Sequence, residues 1–313
     1  MNLRESVSDE DQVMERIAEE DRPAEENPKV LGVKWYSSED KDKLEITCEM
    51  VKQPKITKRT VTSIASDYDL MGWMLPLMHK AKIYLQSLWR DELVWDAPLP
   101  EDRKRVLEAL IKSMDGSQKK ILRFLVDKFS NVHLVTFADA SSEAMAACTY
   151  LCCSQSADLL MTKGQLPSLQ AKITIPQMEL SAITLAMRLT HSVVAQIASV
   201  VSITILIILS NSEIVLNLIR ANARPSIGPF IENRVHKIRN IVAHLGKKRS
   251  KVVFGHIPSQ NNPADCATRG LDKTLLSDHF WWKGPEFLTR QIETWKDEYT
   301  SITSESSQDS EEE

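Results

Sequence analysis

From Ser202 to Leu209 the chain runs through eight residues of which seven are Ile, Leu or Thr, with no charge among them. Such a run predicts a strand buried on both faces. Asn131 to Ala138 reads as another strand, Ala144 to Cys153 as a second, and Asp158 to Thr162 as a third. The rhythm then lengthens. Pro176 sits where a helix would start, and Leu180, Ile183, Leu185 and Leu189 supply its apolar residues. Glu213 to Arg220 predicts a short helix, and Phe230 to Leu245 a longer one with Arg234, Lys237 and Arg239 on its polar side. Val252 to Phe254 predicts a last strand, followed by a loop from Pro258 to Asn262 and a helix through Asp265.

Upstream the pattern is less regular. Val30 to Trp35 and Lys43 to Thr47 read as a hairpin around the polar loop Ser37 to Asp42. Ile64, Leu70, Met74, Leu77 and Ala81 recur at helical spacing, and Ile83, Leu85, Leu88 and Trp89 continue the face. Pro76 predicts a break or kink there. A segment from Trp95 to Asp102 then leads into a helix through about Lys112. These elements divide the chain into an acidic arm without structure at 1–27, a mostly helical region at 28–115, a linker at 116–130, an α/β domain at 131–300 and an acidic tail at 301–313. No internal repeat is evident.

Charge sharpens this division. The whole chain carries −4, but residues 1–27 carry −7 and residues 303–313 carry −5, which leaves +8 for the middle. A basic body between acidic ends is compatible with a polyanionic partner and equally with a mixed-charge solvated surface. The five cysteines, Cys48, Cys148, Cys152, Cys153 and Cys266, have no zinc-ligand spacing and read as free thiols in a reducing compartment. The acidic first 27 residues lack the apolar core of a secretory signal. Leu189 to Ser212 contains no Asp, Glu, Lys or Arg, but Gln196, five serines and β-branched residues favour a helix end entering a buried strand over a membrane span.

Candidate chemistry lies at the predicted element boundaries. Asp139 follows the strand Asn131 to Ala138, Glu179 lies near a helix start, Asn211 follows the central strand, and Asp265 lies near the start of a later helix. Three carboxylates and one amide at such places could converge on a metal. Singly, Asp139 also reads as a turn residue, Glu179 as a first-turn acid, Asn211-Ser212 as a helix cap and His256 as a loop histidine.

The words around these residues resemble the Pol polyprotein of BEL/Pao-type LTR retrotransposons over about residues 29 to 290. Leu31-Gly32-Val33-Lys34-Trp35 looks like the exit from a reverse transcriptase palm, and Thr57-Lys58-Arg59, Ile64-Ala65-Ser66, Ala81-Lys82-Ile83 and Leu88-Trp89-Arg90 look like its connection region. Phe137-Ala138-Asp139-Ala140-Ser141, Ile175-Pro176-Gln177-Met178-Glu179-Leu180, His256-Ile257-Pro258 with Asn262-Pro263-Ala264-Asp265, and Trp281-Trp282 with Gly284-Pro285-Glu286 follow in the family's order. The resemblance implies a mixed-sheet ribonuclease H-like domain preceded by a connection region. It implies cleavage of the RNA strand of RNA/DNA hybrids by two-metal hydrolysis, with Mg²⁺ or Mn²⁺ held by Asp139, Glu179, Asp265 and the residue at 211, and with His256 assisting proton movement or product release. Implied partners are a hybrid or other nucleic acid and other Pol fragments, in cytoplasm or nucleus and not in a membrane.

The sequence departs from the family at Ser210-Asn211-Ser212, where an acid is expected. An amide offers one neutral oxygen, so ion binding should weaken and hydrolysis should be impaired. Two other function classes compete. One is a nucleic-acid binder without catalysis. The other is an aspartic peptidase, a label this family region has also carried, but Asp139-Ala140-Ser141 lacks the glycine of a catalytic Asp-Thr/Ser-Gly loop. No Tyr-x-Asp-Asp polymerase motif occurs in this sequence.

Overall fold

The computed structural model describes residues 8, 10–22, 29–30, 33–36, 43–48, 55–66, 69–153, 155–170, 172–221, 228–247 and 251–302. In the acidic arm, expected to lack structure, it has a short helix α1 (Asp11–Arg16) and a 3₁₀ turn at Glu19–Asp21. Strand β1 (Lys29–Val30) pairs antiparallel with β2 (Val33–Tyr36), which pairs with β3 (Lys43–Cys48) as the hairpin pattern predicts. The hairpin loop itself falls outside the described residues.

Helix α2 (Lys58–Ala65) starts at Thr57, whose side chain accepts from the Thr60 N–H while the Thr60 hydroxyl accepts in return. Helix α3 (Leu75–Arg90) begins just before Pro76, so the proline opens a helix instead of kinking one. Helix α4 (Glu101–Met114) has two acids in its first turn and no buried residues beyond Leu107 and Met114.

The predicted linker is corrected here. Residues Ser117–Leu122 form strand β4, paired along its whole length with β3, and Gly116 turns into it at φ +75°. Only two of its six side chains are Ile or Leu, so the strand depends on pairing with a segment distant in sequence. A first sheet of order β1-β2-β3-β4 results.

The second sheet has the order β10-β9-β8-β5-β6-β7. Its centre is β5 (Asn131–Ala140), flanked antiparallel by β6 (Met145–Cys153), which in turn pairs antiparallel with β7 (Ser156–Gln165). The crossover helix α5 (Ile175–Ile197) leads to β8 (Ser202–Ser210), parallel to β5. Helices α6 (Glu213–Arg220) and α7 (Pro229–Lys247) precede β9 (Lys251–His256), parallel to β8. Helices α8 (Pro263–Arg269) and α9 (Lys273–Leu276) follow, and β10 (Thr300–Ile302) returns antiparallel to β9. The domain therefore extends past the boundary expected at residue 300.

Alternation along the central strands divides the core by face. Leu134 and Ala138 of β5 with Leu206 and Ile208 of β8 bury against Leu180, Ile183 and Met187 of α5 and Ile238 of α7. Helix α5 is long and apolar enough to cross a membrane by length and composition, but these residues spend its apolar face on the sheet. Val135 and Phe137 with Ile207 and Leu209 face Leu77 and Leu88 of α3, Leu107 of α4 and Trp281. The helical region 28–115 and the α/β domain thus share one continuous core. Trp281 closes it: its Nε1 donates to the Trp73 carbonyl at 2.8 Å, and Tyr150 Oη donates to the Trp281 carbonyl at 2.7 Å.

Candidate active site

Strand register brings the predicted residues to one end of the second sheet. Ala138 pairs with Ser210, and Ser210 with His256, so Asp139, Asn211 and His256 leave three adjacent strands at the same level. Asp139 is 4 % exposed, which is costly for a carboxylate without a donor. Thr268 of α8 supplies one: its hydroxyl donates to Asp139 Oδ2. The loop before α8 is tied to the same strand by Asn262 Nδ2, which donates to the Ala138 carbonyl at 3.0 Å.

Asp265, one turn into α8, feels Asp139. Burial and then the Asp139 charge raise its pKa above the usual carboxylate value, against the lowering effect of Arg269. Arg269 Nε lies 2.9 Å from Asp265 Oδ1 across one helical turn. Glu179 projects from the first turns of α5 and accepts from Ser212 Oγ at 2.6 Å. Asn211 does not aim its amide N–H at any carboxylate; Nδ2 donates to Ser259 Oγ at 3.0 Å. His256 Nδ1 lies 4.0 Å from Glu213 Oε1, at the outer limit of an ion pair.

The predicted set is therefore assembled in parts. Asp139 and Asp265 are joined through α8, Glu179 is joined to the Asn211 loop through Ser212, and His256 faces Glu213. All four oxygen-bearing residues have donor chemistry suited to Mg²⁺. Their grouping is not that of a formed site: among the described residues no three His, Cys, Asp or Glu side chains are disposed to hold a metal ion. Asp139 and Asp265 nevertheless lie close enough for their charges to couple, and Arg269 offsets part of that charge.

Two supporting residues carry no reading in the sequence analysis, Arg269 and Thr268. Arg269 was discoverable, because it stands four positions after Asp265 on one helix. Thr268 had no such mark, and Ser212, legible as a helix cap, gave no sign of its bond to Glu179, since a hydroxyl carries no signal of a distant partner. The remaining support comes from α3. His79 is 1 % exposed and its Nδ1–H donates to the Ala267 carbonyl of α8 at 2.8 Å. Burial lowers its pKa to about 4, so the ring is neutral. Gly164 of β7 lets the ring in, because a Cβ there would lie 1.9 Å from His79 Nε2. The Leu271 N–H donates to the Pro76 carbonyl at 3.1 Å, and Lys80 Nζ reaches Asp272 at 2.7 Å. Helix α3 of the connection region thus holds the helix that carries Asp265 and Thr268.

Residues 57–212 match the family described as the Pao retrotransposon-like RNaseH-like domain. The match takes in Asp139, Glu179 and Asn211 and stops short of His256 and Asp265. No curated protein matches the chain. Among solved structures, ribonuclease H1 from Halobacterium salinarum is 14 % identical, covering 43 % of this chain and 91 % of its own, at a TM-score of 0.31. LC11-RNase H1 in complex with an RNA/DNA hybrid is 18 % identical, covering 46 % of this chain and 99 % of its own, at 0.31. The foamy viral protease-reverse transcriptase in complex with an RNA/DNA hybrid is 13 % identical, with 73 % of this chain covered, at 0.41. This chain spans 29 % of that protein's length.

Proposed function

We propose, for a chain whose residues 57–212 belong to the Pao retrotransposon-like RNaseH-like domain family, that it is a piece of a BEL/Pao-type Pol protein whose ribonuclease H site is impaired. Its ancestral reaction is hydrolysis of the RNA strand of an RNA/DNA hybrid with two Mg²⁺ or Mn²⁺ ions. Asp139, Glu179 and Asp265 are its remaining acidic ligands, Asn211 is the weakened position, and His256 assists proton movement or product release. The single observation that supports impairment most is the side chain at 211: it is an amide, and its N–H is engaged with Ser259 instead of a carboxylate standing beside Asp139.

Cleavage of a labelled hybrid in Mg²⁺ and in Mn²⁺ tests this, with the parent beside Asn211→Asp and Asp139→Asn. The expected result is cleavage only by Asn211→Asp. Cleavage by the parent that Asp139→Asn abolishes would make the chain a working nuclease and end the impairment reading.

A second reading, binding of nucleic acid without hydrolysis, is supported by the +8 charge of the body between its acidic ends. It predicts steeply salt-dependent hybrid binding. No disulfide joins any of the five cysteines, which suits cytoplasm or nucleus, where a Pol fragment would meet its template and other Pol fragments.

A further inference from the structure

Helices α5 and α7 pack against each other, and their seam is unusual in charge. Along Ile175–Ile197 the only Asp, Glu, Lys or Arg residues are Glu179 and Arg188. Glu179 is engaged by Ser212, so it does not balance Arg188. Across the seam Arg234 is half-buried and rigidly held. Its Nε donates to Ser181 Oγ at 2.9 Å, its Nη1 donates to the Phe230 carbonyl at 3.3 Å, and Cζ lies 3.4 Å from the centre of the Phe230 ring. The nearby Arg188 charge adds to burial in lowering the Arg234 pKa. Among the described residues neither arginine is in an ion pair.

Ser181 and Arg188 lie two turns apart on one face of α5, so the Arg234 held by Ser181 and the exposed Arg188 project along the same side of the seam, where like charges favour an anion between them. A purely structural arginine pair would be expected to carry a carboxylate. Here the neighbouring basic residue Arg239 is consumed in capping the end of α6 through the Ala221 and Ile219 carbonyls, whereas the Arg188 side chain makes no hydrogen bond among the described residues. Arg234 keeps Nη2 without a partner among the described residues. The fork geometry of guanidinium suits the paired oxygens of a phosphate group. Ser181, which orients Arg234, lies on α5 within the same first turns as Glu179.

We propose that Arg188 and Arg234, with Ser181 orienting the latter, form a phosphate-binding site on the α5–α7 seam, taking a phosphodiester of a bound nucleic acid. The choice of a nucleic-acid phosphodiester over a free phosphate rests on the function proposed above; the anion site itself does not.

Two measurements on the full chain separate these. In the first, inorganic phosphate is titrated at constant ionic strength, with chloride as the balance, while the Arg234 Nε–H resonance is followed. A saturable shift that Arg188→Gln abolishes is expected, and the Arg188 side chain makes no hydrogen bond among the described residues whose loss would unfold the chain. No shift in the parent, or an unchanged shift in Arg188→Gln, overturns the site. In the second, fluorescence anisotropy of an RNA/DNA hybrid is read across NaCl concentration. Arg188→Gln should weaken binding roughly three- to tenfold for every sequence and reduce the salt slope by about one. Hybrid binding with the parent's slope in Arg188→Gln overturns the nucleic-acid assignment. A phosphate shift in a chain that binds no hybrid would retain the anion site and remove the nucleic-acid reading.

Discussion

The two ends of β5 are built on opposite plans. At the Asp139 end the predicted acids and the amide each have a hydroxyl or guanidinium against them, and His256 faces the Glu213 carboxylate. At the His133 end, about 20 Å away for six residues of extended chain, a cavity of about 440 Å³ opens between the strand starts and the 288–295 segment. It is lined by His133, Cys152, Arg290, Glu293 and Trp295 among others. His133 is turned by Thr204, whose Oγ1 lies 2.7 Å from Nδ1, and burial lowers its pKa against the raising effect of Glu293. The roomier end thus holds unlike groups already paired elsewhere, such as Arg290 with Glu298 at 2.7 Å. The Asp139 end gathers like groups from separate elements. Convergence of side chains, and not volume, marks the chemistry in this molecule.

The largest effect that separates the two ends should come from Trp295→Ala. Trp295 is 2 % exposed, meets His133 and Phe287 edge-on at 6.2 and 5.5 Å, and donates from Nε1 to the Arg290 carbonyl at 3.1 Å. Its removal should cost about 3–5 kcal/mol, read as a fall in the urea midpoint. If the ends are independent, hydrogen exchange in α8 of the still-folded variant stays at the parent's level.

Acid should weaken the other end through His79. Its folded pKa of about 4 lies below the usual value of about 6.5, so between these values the unfolded chain binds the extra proton. Stability is then complete above about pH 6.5 and falls as pH drops toward 4, by about 3 kcal/mol in all. His79→Asn keeps an N–H for the Ala267 carbonyl but cannot titrate there. Urea titrations at pH 7 and pH 4 should show a smaller difference in the variant; an equal difference would remove His79 from the account.

Thr268→Val keeps the shape but removes the hydroxyl that donates to Asp139, at an expected cost of about 1–3 kcal/mol. The measurement is the same urea midpoint at pH 7, and a Thr268→Ser variant, which restores the donor, should recover most of the loss. The smallest change in stability should be that of Asn211→Asp, within about 0.5 kcal/mol for a half-exposed site. Addition of Mn²⁺ should raise the melting temperature of this variant more than that of the parent.

Much of the α/β domain was legible because its elements announce themselves locally. The apolar run at 202–209, Pro176 ahead of a helical rhythm, and Ser212 before Glu213 each specify an element through backbone sterics, capping or hydrophobic period. The membrane-length apolar stretch resolved into the end of α5 and β8, of which the second half, from Leu206, is buried while Ser202 to Ile205 are exposed or partly buried. Strand β4 was not legible, because its polar Ser-Gln-Lys-Lys start has no period of its own and its order comes from hydrogen bonds to β3. The strand at 300–302 was not legible for the same reason, since its three residues are ordered by pairing with β9.

By itself, then, the sequence determined the order of elements in the domain, the identity of the acids at their ends and the amide at 211, since each is a property of neighbouring residues. Only the tertiary structure decided that α3 shares the domain's core and grips α8 through His79, that Asp139 leans on Thr268 while Asp265 leans on Arg269, and that Arg234 is held across the α5–α7 seam by Ser181. Those outcomes depend on pairing across long stretches of chain, where burial and charge are set by which surfaces meet and no local pattern records the meeting.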